Sequence, residues 1–315
     1  MIPILLADIG GTHTRFAFAG SDGRPERIKI IDNDNFTGLE TAIAQYLEQT
    51  DTRPRAAVLA VAAPIDGGDE IAMTNRGWHF RRSALAQRFG LAALRIVNDF
   101  EAIAWALPRL TTADARPLGP LAAPAAGVKV ALGPGTGLGV AALMPVNRRL
   151  VVVPSEGGHA SFGPQAEDEF EVFRRLLQAH GSVSAETILS GPGLVRVVRA
   201  IDPQAPYEVP EAVVAAALAG EASAAAATRL FVRLLGRLAG GLALTFKAFG
   251  GVYIAGGWRR DSGRFSTSEH SVLPSRRIRP TRQSLAASRR CSWAAPSPGF
   301  LAAVPWRRNL NRQEL

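Results

Sequence analysis

The chain has 315 residues, of which 47% are apolar and 20% are charged, and its net charge at pH 7 is +9. This composition is typical of a globular protein with enough apolar residues for two cores. Its single cysteine, Cys291, excludes a framework of intrachain disulfides and a cysteine-rich zinc site. Residues 1–6 lack the basic start of a signal peptide, and no apolar run reaches the roughly 20 residues of a membrane helix. We therefore expect a cytoplasmic location and no membrane partner.

The net charge is concentrated in the last part of the chain. Residues 258–315 contain twelve Arg and three acidic residues, so their net charge equals the +9 of the whole chain, and residues 1–257 are neutral overall. Binding to nucleic acid would therefore depend on this tail alone. We expect no nucleic-acid partner.

Apolar runs bounded by glycine or turn residues predict the strands of a first unit, and helical spacing of apolar residues predicts its helices. The expected strands are residues 4–9, 15–19, 27–31, 56–62 and 93–97, and the expected helices are residues 39–47, 83–89 and 101–107. The following segment, residues 111–126, is rich in Pro and Ala and is the expected hinge.

The same pattern starts again after the expected hinge. The expected strands are residues 128–132, 138–143, 150–153 and 251–255, and the expected helices are residues 167–178, 211–218 and 223–245. Each unit opens with a strand, a glycine-rich turn and a second strand, which indicates a duplicated α/β fold with a cleft between its halves. We predict a small α/β domain over residues 1–110, a large α/β domain over residues 111–257, and an atypical tail over residues 258–315.

A glycine-rich turn, Asp8-Ile9-Gly10-Gly11-Thr12, follows the first strand. Its paired glycines allow backbone N–H groups to approach phosphate oxygens, Thr12 adds a hydroxyl donor, and Asp8 can reach Mg²⁺ or its water shell. The alternative is a tight hairpin turn with a solvated aspartate. The turn is not a Walker A loop, because the Gly-Lys-Ser/Thr ending is missing.

A second turn of this kind, residues 133–139, occupies the equivalent place in the second unit. Gly135 and Gly137 again permit close backbone approach, and Thr136 corresponds to Thr12. A single glycine-rich hairpin is weak evidence for a ligand. Two of them at matching positions favour phosphate binding, because a triphosphate needs several hydrogen-bond donors.

Asn98 and Asp99 follow the last strand of the first unit and precede a predicted helix. Catalytic groups of open α/β sheets emerge at the carboxyl ends of strands, so Asp99 is a candidate general base for a hydroxyl that attacks phosphorus. The same position also suits a helix N-cap. The residues alone leave both roles open.

A third group of polar residues lies in the second unit. Glu156 and His159 flank two glycines, and Glu186 follows Ser184 beyond the next predicted helix. Carboxylates and an imidazole suit hydrogen bonds to the vicinal hydroxyls of a sugar. The alternatives are a metal site, which the Glu-x-x-His spacing supports only thinly, and a helix cap formed by Ser184 and Glu186.

Two further candidates stand in glycine-rich or turn-like surroundings. Asn75 is a polar candidate that also suits an ordinary turn. Gly256 and Gly257 follow an apolar strand and would give flat access to a nucleoside, although close packing of a strand and a helix would need glycines as well.

Taken together, these motifs and the segment Ser190-Gly191-Pro192-Gly193-Leu194 resemble the bacterial glucokinase family over about residues 3–257. The resemblance implies a duplicated actin-like, ribonuclease-H-like two-domain fold with an interdomain cleft. It also implies phosphorylation of glucose at O6 by ATP with Mg²⁺, and leaves room for a homodimer. The family's related repressor and kinase group carries a cysteine-rich zinc motif, which a chain with one cysteine does not have.

Carried over by motif, the resemblance implies a role for each candidate residue. Asp99 would be the catalytic base, and Asp8 would hold Mg²⁺ through water. The sugar would be bound by Asn75, Asn98, Asp99, Glu156, His159 and Glu186. ATP would be bound by Ala7, Asp8, Ile9, Gly10, Gly11, Thr12, Gly135, Thr136, Gly137, Gly256 and Gly257.

The resemblance stops at Trp258, where helical periodicity ends and Ser and Arg become frequent. We hypothesise a shift of reading frame near this codon, which the nucleotide sequence of the gene tests directly; the alternative is a genuine disordered, Arg-rich extension. Two other functional hypotheses follow. In the first, the chain would be a sugar-binding regulator without turnover. In the second, it would be an inactive product of a frameshifted glucokinase gene.

Overall fold

The computed structural model describes residues 3–73, 76–111, 114–118, 126–255 and 291–294. They divide into two compact units, one formed by residues up to Arg109 and one that begins at Leu110. Each unit is built on its own mixed β-sheet with its own apolar core.

The first unit contains seven strands and three α-helices in its described residues. The strands are β1 (Ile4–Ile9), β2 (His13–Ala19), β3 (Pro25–Asp32), β4 (Ala56–Val61), β5 (Glu70–Ala72), β6 (His79–Arg81) and β7 (Ala93–Asn98). The helices are α1 (Leu39–Thr50), α2 (Arg82–Phe89) and α3 (Asp99–Ala106). Five strands form one sheet in the order β3-β2-β1-β4-β7, and β5 and β6 form a separate hairpin.

Helix α1 shows how the sequence forms the first core. Its buried residues Leu39, Ala42, Ile43 and Tyr46 are three or four positions apart and therefore share one helix face. The ring of Tyr46 stacks on Phe16 of β2, with 5.1 Å between the ring centroids. This packing fixes α1 against the sheet that carries β1.

The second unit contains six strands and five α-helices in its described residues. The strands are β8 (Ala115–Leu118), β9 (Lys129–Pro134), β10 (Leu138–Val146), β11 (Arg149–Ser155), β12 (Gly251–Ile254) and β13 (Cys291–Ala294). The helices are α4 (Phe170–His180), α5 (Ala185–Ile188), α6 (Gly191–Ile201), α7 (Pro210–Leu218) and α8 (Ala222–Thr245). The strand order is β11-β10-β9-β12-β13-β8.

The two sheets share a five-strand core of one topology. In this core β1 and β9 each pair antiparallel with the next strand, which pairs antiparallel with a third, and two later strands add in parallel on the other side of β1 and β9. The second sheet has one more strand, β8, which pairs antiparallel with β13 at its edge. The predicted duplication of an α/β unit is therefore confirmed. As a result, the two glycine-rich turns lie at the same place in each sheet, one between β1 and β2 and the other between β9 and β10.

The structure corrects several expectations about individual elements. The expected hinge contains strand β8, and α3 begins at Asp99 rather than at residue 101. Helix α6 and the β5–β6 hairpin were not predicted from the sequence, because Gly-Pro-Gly at the start of α6 resembles a turn and three-residue strands are too short for a periodic pattern. In the tail, Cys291–Ala294 form β13 between β12 and β8.

Among the helices that the structure describes, none by itself is long and apolar enough to span a membrane. Helices α7 and α8 would meet the requirement together by length and composition, and they are bent by 110° at the break between them.

Candidate active site

The first glycine-rich turn joins β1 to β2 and presents its polar groups at the end of β1. It is closed by a hydrogen bond from the N–H of Gly10 to the carbonyl of His13, at 3.0 Å. Thr12 is exposed, so its hydroxyl is accessible to a ligand. Ala7 and Ile9 are buried in the core, so they offer a ligand their backbone groups only.

Asp8 lies opposite Arg15 in the β1–β2 register, and the guanidinium of Arg15 is 3.1 Å from Oδ2 of Asp8. Burial raises the pKa of the Asp8 carboxyl above its usual value, and the charge and hydrogen bond of Arg15 act in the opposite direction. The sequence alone gives Arg15 no role, because no sequence pattern shows which residues pair across a hairpin.

Asn98 and Asp99 have separate tasks in the structure. Oδ1 of Asn98 accepts hydrogen bonds from the N–H groups of Phe100 and Glu101, so Asn98 is the N-cap of α3. Its Nδ2 donates to the carbonyl of Ala63 at 3.1 Å. Asp99 is the first residue of the helix, and the cap role weighed for it belongs to Asn98.

The environment of Asp99 changes its acidity. Burial and, to a smaller extent, the negative charge of Asp8 raise the pKa of Asp99 to about 6. Hydrogen bonds from the backbone N–H of Phe100 and from Asn98 act in the opposite direction. A carboxylate with a pKa near 6 is ionised at neutral pH and still basic enough to accept a proton from a hydroxyl that is losing it. The position and acidity of Asp99 therefore fit a general base.

Asp8 and Asp99 also supply the kind of donors that Mg²⁺ prefers. Mg²⁺ binds oxygen ligands, keeps several of its waters, and usually uses one or two carboxylates. The charge of Asp8 is felt at Asp99, so a divalent cation at Asp8 would relieve an existing repulsion. The described residues contain no group of three or more His, Cys, Asp or Glu side chains with the arrangement of a metal site, at Asp8 and Asp99 or elsewhere.

The second glycine-rich turn joins β9 to β10. The N–H of Gly135 donates to the carbonyl of Gly137 at 2.8 Å, and the carbonyl of Gly135 accepts from the N–H of Gly191 at the start of α6, at 2.7 Å. Thr136 is exposed, as Thr12 is in the first turn. The motif that begins at Ser190 is therefore part of the support of this turn.

Glu156, His159 and Glu186 lie together in the second unit. The imidazole of His159 is 3.7 Å from the carboxylate of Glu156 through Nε2 and 4.0 Å from that of Glu186 through Nδ1. Ser184 caps α5 together with Thr187, so the carboxylate of Glu186 is not used as a cap. Instead, Oε2 of Glu186 accepts a hydrogen bond from the N–H of Leu138 at 2.7 Å.

This contact attaches the polar cluster to the second turn. A Cβ at Gly158 would lie 2.1 Å from the carbonyl oxygen of Leu138, so only glycine allows the short helix Gly157–His159 to lie against that residue. The N–H of Leu138 therefore donates a hydrogen bond to Glu186, and its carbonyl packs closely against Gly158. The cluster and the turn form one assembly.

Some predicted residues were not tested, and others were missed. Asn75, Gly256 and Gly257 lie outside the described residues, so their roles stay predictions. Asn33 and Arg76 were not predicted from the sequence, and their side chains donate hydrogen bonds to carbonyls of the first turn. Neither residue belongs to a recognisable motif, and only the fold places them beside the turn.

The chain was compared with known proteins. The family model described as Glucokinase matches residues 5–269. A glucokinase of Saccharophagus degradans is 41% identical over 268 residues, which are 82% of this chain and 83% of that protein.

Two solved structures extend the comparison to the fold. The crystal structure of a glucokinase from an Antarctic psychrotroph superimposes with a TM-score of 0.82 at 30% identity, and covers 96% of this chain and 98% of that one. A ROK family glucokinase from Streptomyces griseus, solved with glucose and AMPPNP, has a TM-score of 0.63 at 19% identity, with 96% and 98% covered.

These similarities agree with the repeated topology of the two sheets. The fold is the duplicated, actin-like two-domain fold of these sugar kinases. A family model that matches residues 5–269 and a relative that is 41% identical over 268 residues extend the resemblance well beyond the motifs on which the sequence prediction depended. This chain belongs to the glucokinase family.

Proposed function

We propose that this protein transfers the γ-phosphoryl group of ATP to the 6-hydroxyl of glucose and releases ADP and glucose 6-phosphate, with Asp99 as the general base. The bond from O6 to phosphorus forms, the bond from phosphorus to the β-phosphate oxygen breaks, and the proton of O6 goes to the carboxylate of Asp99. The support is the family membership, together with the ROK family glucokinase of the same fold that was solved with glucose and AMPPNP.

The observation that carries the role of Asp99 is that its neighbour Asn98 is the N-cap of α3. Oδ1 of Asp99 accepts a hydrogen bond from the N–H of Phe100 at 2.9 Å, but Asn98 binds the same N–H, so the start of the helix does not depend on Asp99. Its pKa of about 6 keeps it ionised at neutral pH. A carboxylate in this state can accept the hydroxyl proton as the new bond to phosphorus forms.

The two glycine-rich turns are proposed to hold the phosphates. The N–H groups of Gly10 and Gly135 close the turns, so the N–H groups of Gly11, Thr12, Thr136 and Gly137 would supply the donors, and the exposed hydroxyls of Thr12 and Thr136 would add two more. Asp8 would hold Mg²⁺ through water. When bound, Mg²⁺ neutralises part of the negative charge of the triphosphate.

Glu156, His159 and Glu186 are proposed to bind the hydroxyls of glucose, with Asn98 and Asn75. Glu186 has one carboxylate oxygen committed to the N–H of Leu138 and one that faces His159, so the second oxygen is the one available to a sugar. The proposal includes a cytoplasmic location and leaves room for a homodimer, without nucleic-acid or membrane partners.

The experiment that tests the function is a coupled assay of ADP release by the purified chain. We expect release that depends on glucose, on ATP and on Mg²⁺, with glucose 6-phosphate as the product in stoichiometric amount. A pure, folded protein that binds glucose but releases no ADP would instead support the non-catalytic regulator. A protein that binds neither substrate would contradict both hypotheses.

Substitution of Gly158 by Ala tests the sugar-binding assembly. The added methyl group would meet the Leu138 carbonyl, which is backbone and cannot rotate away, so the helix Gly157–His159 must shift together with His159. A misplacement of about 1 Å reduces efficiency by about 10- to 100-fold, and we expect this loss mainly as a higher KM for glucose.

The matched control for this substitution is Gly163→Ala. Gly163 lies in the same loop, and an added Cβ there meets nothing within 4 Å. We expect this control to retain the KM for glucose of the unmodified protein. Equal effects of the two substitutions would show that the loop, and not the contact with Leu138, determines glucose binding.

A further inference from the structure

Asn33 lies behind the first glycine-rich turn and is fully buried. It starts the short helix Asn33–Asn35 directly after β3. Its Oδ1 accepts a hydrogen bond from the hydroxyl of Thr14 at 2.7 Å, and its Nδ2 donates to the carbonyls of Gly10 at 2.8 Å and Gly11 at 3.3 Å. Its backbone N–H donates to the carbonyl of Thr12 at 2.9 Å. One residue therefore bonds to three successive carbonyls of the turn.

These contacts set the direction of the N–H groups in the turn. A trans peptide is planar, and its C=O and N–H point in opposite directions. Because the carbonyls of Gly10 and Gly11 point toward Asn33, the N–H groups of Gly11 and Thr12 point away from it. They face the side of the turn on which a bound phosphate would meet them, in the manner of an anion-binding nest.

Arg76 adds a second set of contacts behind the same turn. Its guanidinium donates to the carbonyl of Gly11 at 3.2 Å and to the carbonyl of Asn33 at 2.5 Å, and also to Oδ1 of Asp34 at 2.8 Å. It lies over the ring of Trp78, with 4.6 Å from Cζ to the ring centroid, and its side chain is only 16% exposed. Arg76 therefore holds both the turn and the residue that supports it.

We propose that Asn33 and Arg76 are positioning residues for ATP, which hold the first glycine-rich turn in the conformation that directs its N–H groups at the phosphates. The inference rests on the proposed function, because it takes this turn to be a phosphate site. Neither side chain needs to touch the nucleotide. Their effect reaches it through the carbonyls of Gly10 and Gly11.

The test compares Asn33→Ala with Thr14→Val. Asn33→Ala removes the donor to Gly10 and Gly11, and we expect the KM for ATP and the Kd for AMPPNP to rise by about tenfold, the effect of one hydrogen bond on a binding constant. The KM for glucose should not change. Thr14→Val removes only the bond on the other side of the Asn33 amide, so it should lower the melting temperature and leave ATP binding intact.

Arg76 provides a second variant in case Asn33→Ala does not fold. Arg76→Gln and Arg76→Lys both remove the planar fork that spans Gly11 and Asn33, but the lysine keeps the positive charge. We expect both to weaken AMPPNP binding. Full binding by Arg76→Lys would show that Arg76 acts through its charge alone and would overturn its positioning role.

Two further results would overturn the proposal. One is an unchanged Kd for AMPPNP in a folded Asn33→Ala protein. The other is an equal rise in the constants for ATP and glucose, which would indicate a general structural defect. Failure of the proposed function is distinguishable from both, because the unmodified protein would then release no ADP with glucose, whatever its affinity for AMPPNP.

Discussion

Replacement of Asp99 by Asn is expected to lower kcat for glucose phosphorylation by about 10²- to 10⁴-fold, the contribution of a positioned general base. Asparagine keeps the size of the side chain but cannot accept the hydroxyl proton. The KM values for glucose and ATP should change much less than kcat. Measurement of kcat and both KM values by the coupled assay checks this result.

The control for this substitution is Glu101→Gln. Glu101 is a second carboxylate in the first turn of α3, and it pairs with Arg95 at 3.3 Å. We expect Glu101→Gln to keep kcat, because this carboxylate has no place in the proposed reaction. A loss of kcat equal to that of Asp99→Asn would mean that negative charge at the start of α3, rather than a base at Asp99, is required.

The pH dependence of the same enzyme follows from the pKa of Asp99. Burial first, and then the charge of Asp8, raise this pKa to about 6, so the ionised base is lost as the pH falls through that value. We expect kcat/KM to rise with pH up to about 6 and then to level off, and the Asp99→Asn variant to lack this rise.

The contribution of Asp99 to the free energy of unfolding changes with pH in the opposite direction. A carboxyl with a raised folded-state pKa favours the folded state at low pH, and this contribution is lost as the pH rises through about 6.

Replacement of Arg237 by Leu is expected to lower the free energy of unfolding by about 3 kcal/mol, the lower end of the cost of breaking a buried ion pair. Glu169 is fully buried, and its carboxylate accepts hydrogen bonds from Arg237 and from the N–H of Gln165 at 2.8 Å. Arg233 contacts the same carboxylate at 3.2 Å and would compensate in part. Urea unfolding followed by far-ultraviolet circular dichroism measures the loss.

The same substitution, Arg237→Leu, is also expected to raise the KM for glucose. Arg237 also donates to the carbonyl of Gly163 at 3.2 Å, and so fixes the loop that follows His159. Arg174→Ala is the control, because Arg174 pairs with Glu171 on an exposed face of α4. Exposed ion pairs contribute little to stability, so this control should leave both unfolding and the KM for glucose unchanged. A small loss of stability for Arg237→Leu, equal to that of Arg174→Ala, would contradict the prediction.

Much of the fold followed from the sequence because each core leaves a periodic pattern. The buried strands β1, β4, β9 and β12 are short apolar runs between turn residues, and the spacing in α1 shows its buried face. Helix α6 was missed because Gly-Pro-Gly opens it. Pro192 lies in its first turn, where the missing N–H costs nothing, and a Cβ at Gly193 would lie 2.2 Å from the carbonyl of Ile188.

The site was only partly predictable, for a different reason. The sequence shows which residue types could act as a base or bind a ligand. It does not show which of two neighbouring residues caps a helix and which is available for catalysis. Asn98 and Asp99 are both good N-caps, and only the hydrogen bonds of α3 show that Asn98 is the cap. Likewise, the link between Glu186 and Leu138 joins residues that are far apart along the chain.

The hypothesis of a shifted reading frame in residues 258–315 stays untested. The family match ends at residue 269, and the sequence prediction placed the change in the chain at Trp258. The shift of reading frame stays a prediction, which the nucleotide sequence across codons 250–315 tests. Within residues 291–294, the backbone pairs with β12 on one side and with β8 on the other.

The two glycine-rich turns, at equivalent places in the two sheets, are supported by unlike means. The first is held from behind by an asparagine and an arginine, and the second by the start of α6 and a glutamate. Because the contacts behind the two turns involve different side chains, the turns do not share their sensitivity to substitution, and a substitution tolerated behind one turn is no guide to its counterpart.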